Sequence, residues 1–138
     1  MANALYPLWK QEILKGTSNN LLNSAEGTTG VFVALVDTGI YTYSAAHQFY
    51  SSLSGVVGTD KEILTKTQVA GVFDGTDLTF TAVTGATVEA LVIYRKNAGA
   101  NTTWPLVAYI DTGVTGLPVT PNGGDITITW NASGIFGL

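Results

Sequence analysis

The chain contains no cysteine, a single histidine and six basic residues among 138. Without cysteine there is no disulfide, no thiolate nucleophile and no sulfur ligand, so a zinc site would have to be assembled from His47 and carboxylates. Neither a structural metal nor any cofactor is expected. Six Lys and Arg stand against ten Asp and Glu, for a net charge of −4, and Arg95-Lys96 is the one adjacent basic pair. Phosphate binding needs clustered cations, which argues against a nucleic-acid partner. No apolar run approaches the roughly 20 residues of a spanning helix, and the opening MANALYPLWK has neither the basic stretch nor the long apolar stretch of a secretion signal. The expectation is synthesis in a cytoplasm, with no membrane partner.

Charge is the other scarcity. Charged residues make up 12% of the chain, about half of the roughly 25% usual in globular domains. The hydrophobic share, 46%, is ordinary. A small isolated globule keeps itself apart from its neighbours with a mixed-charge surface, so a chain this poor in charge is expected to be covered by other subunits. Its length fits one domain with one core.

What is present reads mainly as β-structure. Tyr6, Trp9 and Ile13 can share a helical face over residues 6–15, with Pro7 suited to the first turn and Gly16 to the stop. Residues 17–30 are polar turn formers around Leu21-Leu22, and VFVALV (31–36) is a buried strand. Ser44 can cap a second helix, in which Ala46, Phe49, Tyr50 and Leu53 keep helical spacing up to Gly55. Beyond it, β-branched runs at 62–73, 78–83, 87–94, 105–110 and 125–130 are separated by turn signals such as DGTD (74–77) and TGLPVTPNGGD (115–125). The expected fold is a single-domain β-sandwich or barrel of about six to eight short strands with one or two short helices. It is flanked by apolar arms at 1–16 and 134–138, and ends of this kind fray unless something holds them.

The sharpest catalytic lead is the pair ALVDTGIY (34–41) and AYIDTGVT (108–115), because two apolar residues before Asp-Thr-Gly are the catalytic loop of aspartic proteases. Such enzymes bring two carboxylates to within about 3 Å so that they share a proton. Asp37 and Asp111 lie too close in sequence for two lobes, and no flap or second apolar-apolar-Gly strand follows in the needed place. The simpler reading is two sharp strand exits, in which each Asp accepts bonds from its own turn and Gly takes a positive φ. His47 has serines nearby in sequence but no evident acid to orient it, and a triad is a matter of geometry. Asp74, Asp77 and Asp125 flank turns without the alternating ligands of a calcium loop. The aromatics, among them Trp104 and Trp130, suit a core or a subunit interface, with a sugar-stacking platform as the rival use.

Five phrases carry a family resemblance: LYPLWKQEILKG, DTGIYTYSAAHQFYSSLSGVVG, GVFDGTDLTFTAV, EALVIY, and LVAYIDTGVTGLPVTPNGGDITITW with GIFGL. Together they span residues 5–138 and resemble a group of small virion structural proteins encoded by tailed bacteriophages. The resemblance implies a non-enzymatic virion component made in the bacterial cytoplasm. It looks most like a capsid decoration, or cement, protein that bridges subunits of the major capsid protein, with itself as a second partner in a homo-oligomer, a trimer first. A tail, neck or fibre-attachment protein, or a carbohydrate-binding module on the virion surface, are the alternatives. On grounds of exposure the contacts are expected at the two ends (Leu5, Tyr6, Trp9 and Ile135, Phe136, Leu138) and along the aromatic segment at Tyr41, Tyr43 and Tyr50.

Overall fold

Mostly apolar residues build the central strands. In the computed structural model, which describes residues 3–138, Gly30–Val36 (β2) and Ala90–Lys96 (β7) pair antiparallel from Gly30↔Lys96 to Val36↔Ala90. Leu106–Ile110 (β8) lies on the far side of β7, and Ala4–Leu5 (β1) closes that edge. Val56–Glu62 (β3) forms the opposite edge, giving the order β1-β8-β7-β2-β3. Side chains alternate along a strand, and here both faces of the central strands are buried, which is why β2, β7 and β8 read as continuous apolar runs.

One face carries Val31, Val33, Leu35, Leu91 and Ile93, all inaccessible, in a core shared with Trp9, Phe73, Phe80 and Ile128. The other carries Phe32, Ala34, Val92, Tyr94 and Tyr109. Residues 41–53 lie across this second face, with the Tyr43 ring against Tyr109 and Tyr50 against Tyr94.

Two small sheets complete the structure. Thr67–Val69 (β4) and Val72–Asp74 (β5) form a hairpin whose turn residues, Ala70 and Gly71, both have positive φ, as the tightest hairpin turns require. Phe136–Gly137 (β10) pairs with the free side of β5, and Leu78–Phe80 (β6) pairs with Ile126–Ile128 (β9). The sheets do not close into a barrel, so of the two expected architectures the sandwich-like one is found. The single α-helix among the described residues, Pro7–Leu14 (α1), begins with Pro7 in its first turn and gives way to Gly16 at φ +73°.

Two sequence expectations require correction. The helix expected after Ser44 is absent: Ser44 closes a turn on Ala46 and His47, and one 3-10 turn follows at Tyr50–Ser52. A short isolated helix gains little from its own hydrogen bonds. Here the backbone bonds to the neighbouring strand instead, through Tyr50 N–H to the Trp104 carbonyl and Leu106 N–H to the Gln48 carbonyl. The run at 62–73 is the end of β3, a turn and the β4–β5 hairpin, and β3 itself begins at Val56. That strand was hidden because an edge position leaves most of its residues part-exposed and its pattern polar. The N-terminal arm carries β1 and α1 and the C-terminal arm carries β10, both docked on this domain, with ten strands among the described residues; Met1 and Ala2 of the N-terminal arm lie outside the described residues.

Candidate functional site

The apolar ends meet their own domain. Tyr6 is 0% and Trp9 2% exposed, and the Trp9 indole donates to the Asn20 carbonyl at 3.0 Å. Phe136 stacks on Phe73 at 5.2 Å between ring centres and meets Trp9 edge-on at 5.8 Å. Leu5, Tyr43, Tyr50, Ile135 and Phe136 are part-buried against the core, whereas Tyr41 is buried. Of the residues expected at contacts, Leu138 is the strongly exposed one, at 72%. It borders an apolar groove of about 190 Å³, lined also by Trp9, Ile13, Leu22, Phe73 and Phe136. Val69 on the open edge strand β4, at 68%, and Leu14 at the end of α1, at 89%, add apolar surface.

The two Asp-Thr-Gly segments are strand exits at one end of the sheet, after β2 and β8, with β7 between them. Two strand spacings place their backbones about 10 Å apart. Asp37 Oδ1 accepts from the Gly39 N–H at 2.7 Å, as the turn reading expects. The second turn is held differently: Asn3 Oδ1 accepts from the Asp111 and Thr112 N–H groups at 2.8 and 3.0 Å. Glu89, just before β7, accepts from Thr38 N–H between the two exits. This is turn architecture with strand β7 interposed between the two aspartates. His47 Nδ1 lies 2.9 Å from the Tyr41 hydroxyl, which lies 2.7 Å from that of Tyr6. Asp74, Asp77 and Asp125 each accept a backbone N–H, from Gly75, Trp130 and Ala82.

A site the sequence did not announce lies where β3 falls out of step with β2. From Lys61 to Val57 β3 advances while β2 moves only from Val33 to Leu35, so Gly58, Thr59 and Asp60 bulge opposite Ala34. Gly58 takes φ +72° there. Bulges re-aim side chains, and this one brings Asp60 under the rings of the second face. Asp60 Oδ2 accepts from the Tyr94 hydroxyl at 2.7 Å and from Tyr50 at 2.9 Å. Its Oδ1 is buried and has no hydrogen-bond partner among the described residues.

Around the carboxylate, Tyr94 is stacked between Trp104, at 5.9 Å, and Phe32, at 6.0 Å. Tyr50 meets Trp104 edge-on at 5.4 Å. The Lys96 ammonium lies 5.0 Å from the Trp104 ring centre and 5.2 Å from that of Phe32, a cation–π pair of contacts. These groups line an open cleft of about 350 Å³. Burial pushes the Asp60 carboxyl above the usual aspartate range, against the opposing pull of the two tyrosine hydroxyls and of Lys96. Burial, reinforced by the Asp60 charge, also raises Tyr50 and Tyr94. Trp130, the other candidate platform, is a core residue 6% exposed whose indole donates to the Thr76 carbonyl.

The signals that could have found this cleft are slight: a glycine inside a strand at position 58, which marks a bulge, and the alternation that puts Tyr94 and Lys96 on one face. Fold and surface together define a sandwich-like antiparallel β domain with an apolar rim at its C-terminus and an aromatic cleft on one edge. No family model and no curated protein matches the chain.

Proposed function

We propose that this is a non-enzymatic virion structural protein of a tailed bacteriophage, acting as a capsid decoration protein that bridges coat subunits and so stiffens the shell. The observation that carries the reading is the apolar groove bordered by Leu138, Trp9 and Ile13 of α1, with exposed Val69 on the neighbouring strand β4, on a chain with half the usual charge. Apolar surface gathered beside an open sheet edge suits attachment to a partner. The likeness of the sequence to small phage virion proteins supplies the kind of partner. An interface of ordinary size buries roughly 800 Å² per partner, so many copies stabilise a shell although each contact is modest.

Val69→Asp and Leu138→Asp place a charge on this rim while leaving the core untouched. Added to particles stripped of the protein, each variant is expected to occupy the shell at least about tenfold more weakly, the equivalent of about 1.4 kcal/mol. Full occupancy by both variants would overturn the rim as the contact. A copy number in whole particles that scales with the coat protein supports the decoration reading, whereas a few copies at one vertex would move the protein to the neck or tail.

A further inference from the structure

The five-stranded sheet has two open edges, β1 and β3, and they are built in opposite ways. β3 carries the devices that keep an edge from pairing: a bulge at Gly58, Thr59 and Asp60, and the charged side chains of Asp60, Lys61 and Glu62. β1 carries neither. Its residues, with Asn3 before them, are uncharged and pair with β8 without a shift of register, so its shortness is the one thing that limits pairing.

The ladder to β8 decides which backbone groups of this edge are left over. Tyr6 N–H donates to the Val107 carbonyl at 2.9 Å, while Leu5 and Ala4 stand opposite Ala108 and Tyr109. In an antiparallel ladder the bonded and non-bonded pairs alternate, so residues 4 and 6 direct their backbone groups at β8. Asn3 and Leu5 turn theirs outward.

The surface beside the edge limits what can cover it. Two adjoining grooves, of about 430 and 300 Å³, share Asn3, Ile110, Ile135 and Phe136 and lie between β1 and the C-terminal segment. None of the residues lining them is charged. The chain carries a net charge of −4, so two copies meeting through their acidic faces repel each other, and a charge-free face is where they can meet without opposing like charges. Self-pairing also fits the register. Two copies of β1, antiparallel about a two-fold axis, set Asn3 of each opposite Leu5 of the other, which joins every outward N–H and C=O in four hydrogen bonds. Ala4 then faces Ala4 of the second copy on the axis, in the non-bonded pair where strands come closest, about 4.5 Å between Cα atoms. A methyl side chain suits that spot.

We infer that β1 is a self-association edge, through which two copies of this chain pair at Asn3, Ala4 and Leu5 to form a symmetric dimer with one sheet continuous across both. The charge-free grooves supply its side-chain contact. Because each copy offers the same patch, the assembly closes at two. The inference does not rest on the decoration role and uses neither Leu138 nor Val69, so either reading can fail alone.

The test is sedimentation of the whole protein over a range of micromolar concentrations, with hydrogen exchange read residue by residue at the two ends of the range. Expected is a reversible monomer–dimer equilibrium in which the Leu5 amide exchanges at least about tenfold more slowly in the dimer, the factor of a bond formed there. Ala4→Asp sets two carboxylates against each other on the axis and should weaken the dimer at least about tenfold. Ala4→Ser, small and uncharged, should leave it within about twofold. A monomer at every concentration, a trimer, a dimer whose Leu5 amide exchanges as fast as the monomer's, or a dimer indifferent to Ala4→Asp would each overturn the inference. Sedimentation and exchange are read on the unaltered chain, so a variant that fails to fold does not blunt the test.

Discussion

Tyr6 is fully buried and its hydroxyl is paired with that of Tyr41, which is in turn paired with His47. Replacing Tyr41 with Phe leaves two polar groups short of a partner, one of them inside the core. The expected cost is about 1–3 kcal/mol, read as a lower midpoint in chemical denaturation, and Tyr6→Phe in the same background should restore part of it. Asp60 offers a second test at this scale. Its carboxyl is held above the ordinary value of 3.8 by burial, so the folded chain binds that proton more readily than the unfolded one. Its contribution is therefore present below the ordinary value and is lost as pH rises through the shifted one. The stability of the wild type relative to Asp60→Asn should fall as pH climbs above the ordinary aspartate range of ~4. A difference that stays flat from there to neutrality would show that the carboxyl is not shifted.

Among the elements, the bulge in β3 and the final strand are the most exposed to test. An alanine at position 58 would hold a positive φ that L-residues disfavour, and its Cβ would stand 3.3 Å from Val83 Cγ1. Gly58→Ala should cost about 1–2 kcal/mol and, by straightening the bulge, disturb the Tyr50 and Tyr94 hydroxyl contacts with Asp60. The last strand is short, yet Phe136 sits between Trp9 and Phe73 and Leu138 N–H bonds to the Gly71 carbonyl. Phe136→Ala should cost about 2–3 kcal/mol, less than a fully buried ring would, measured by thermal or urea unfolding. Deleting residues 135–138 would thus disturb the fold as well as any docking, so substitution at Leu138 is the cleaner probe of the rim. The second expected helix failed at this scale because helical spacing at Ala46, Phe49, Tyr50 and Leu53 records which residues are apolar, not where their backbone bonds go.

For the molecule as a whole, the proposed decoration role makes a prediction from the charge deficit and the placement of apolar surface. Attachment through the rim should depend little on salt: taking ionic strength from ~0.1 to ~1 M shortens screening from about 10 to about 3 Å, which weakens ion pairs and leaves apolar contact intact. Release of the protein from shells by salt alone would point to charge-mediated attachment.

The mainly β architecture, the first helix and the central strands were legible because burial on both faces writes itself as unbroken apolar runs at 31–36, 90–94 and 106–110. Pro7 and Gly16 mark the helix by backbone chemistry alone. The composition likewise set what the chain lacks, since cysteine and clustered basic residues are counted and not arranged. Tertiary structure alone decided that the greasy ends turn inward as strands, that Asn3 holds the turn at Asp111, and that Asp60 stands under Tyr50, Tyr94 and Trp104. Those outcomes join residues far apart in the chain, and no local pattern records them. They follow from which strand edge lies within hydrogen-bonding reach and from a two-strand mismatch in register, quantities that exist only once the sheet has formed.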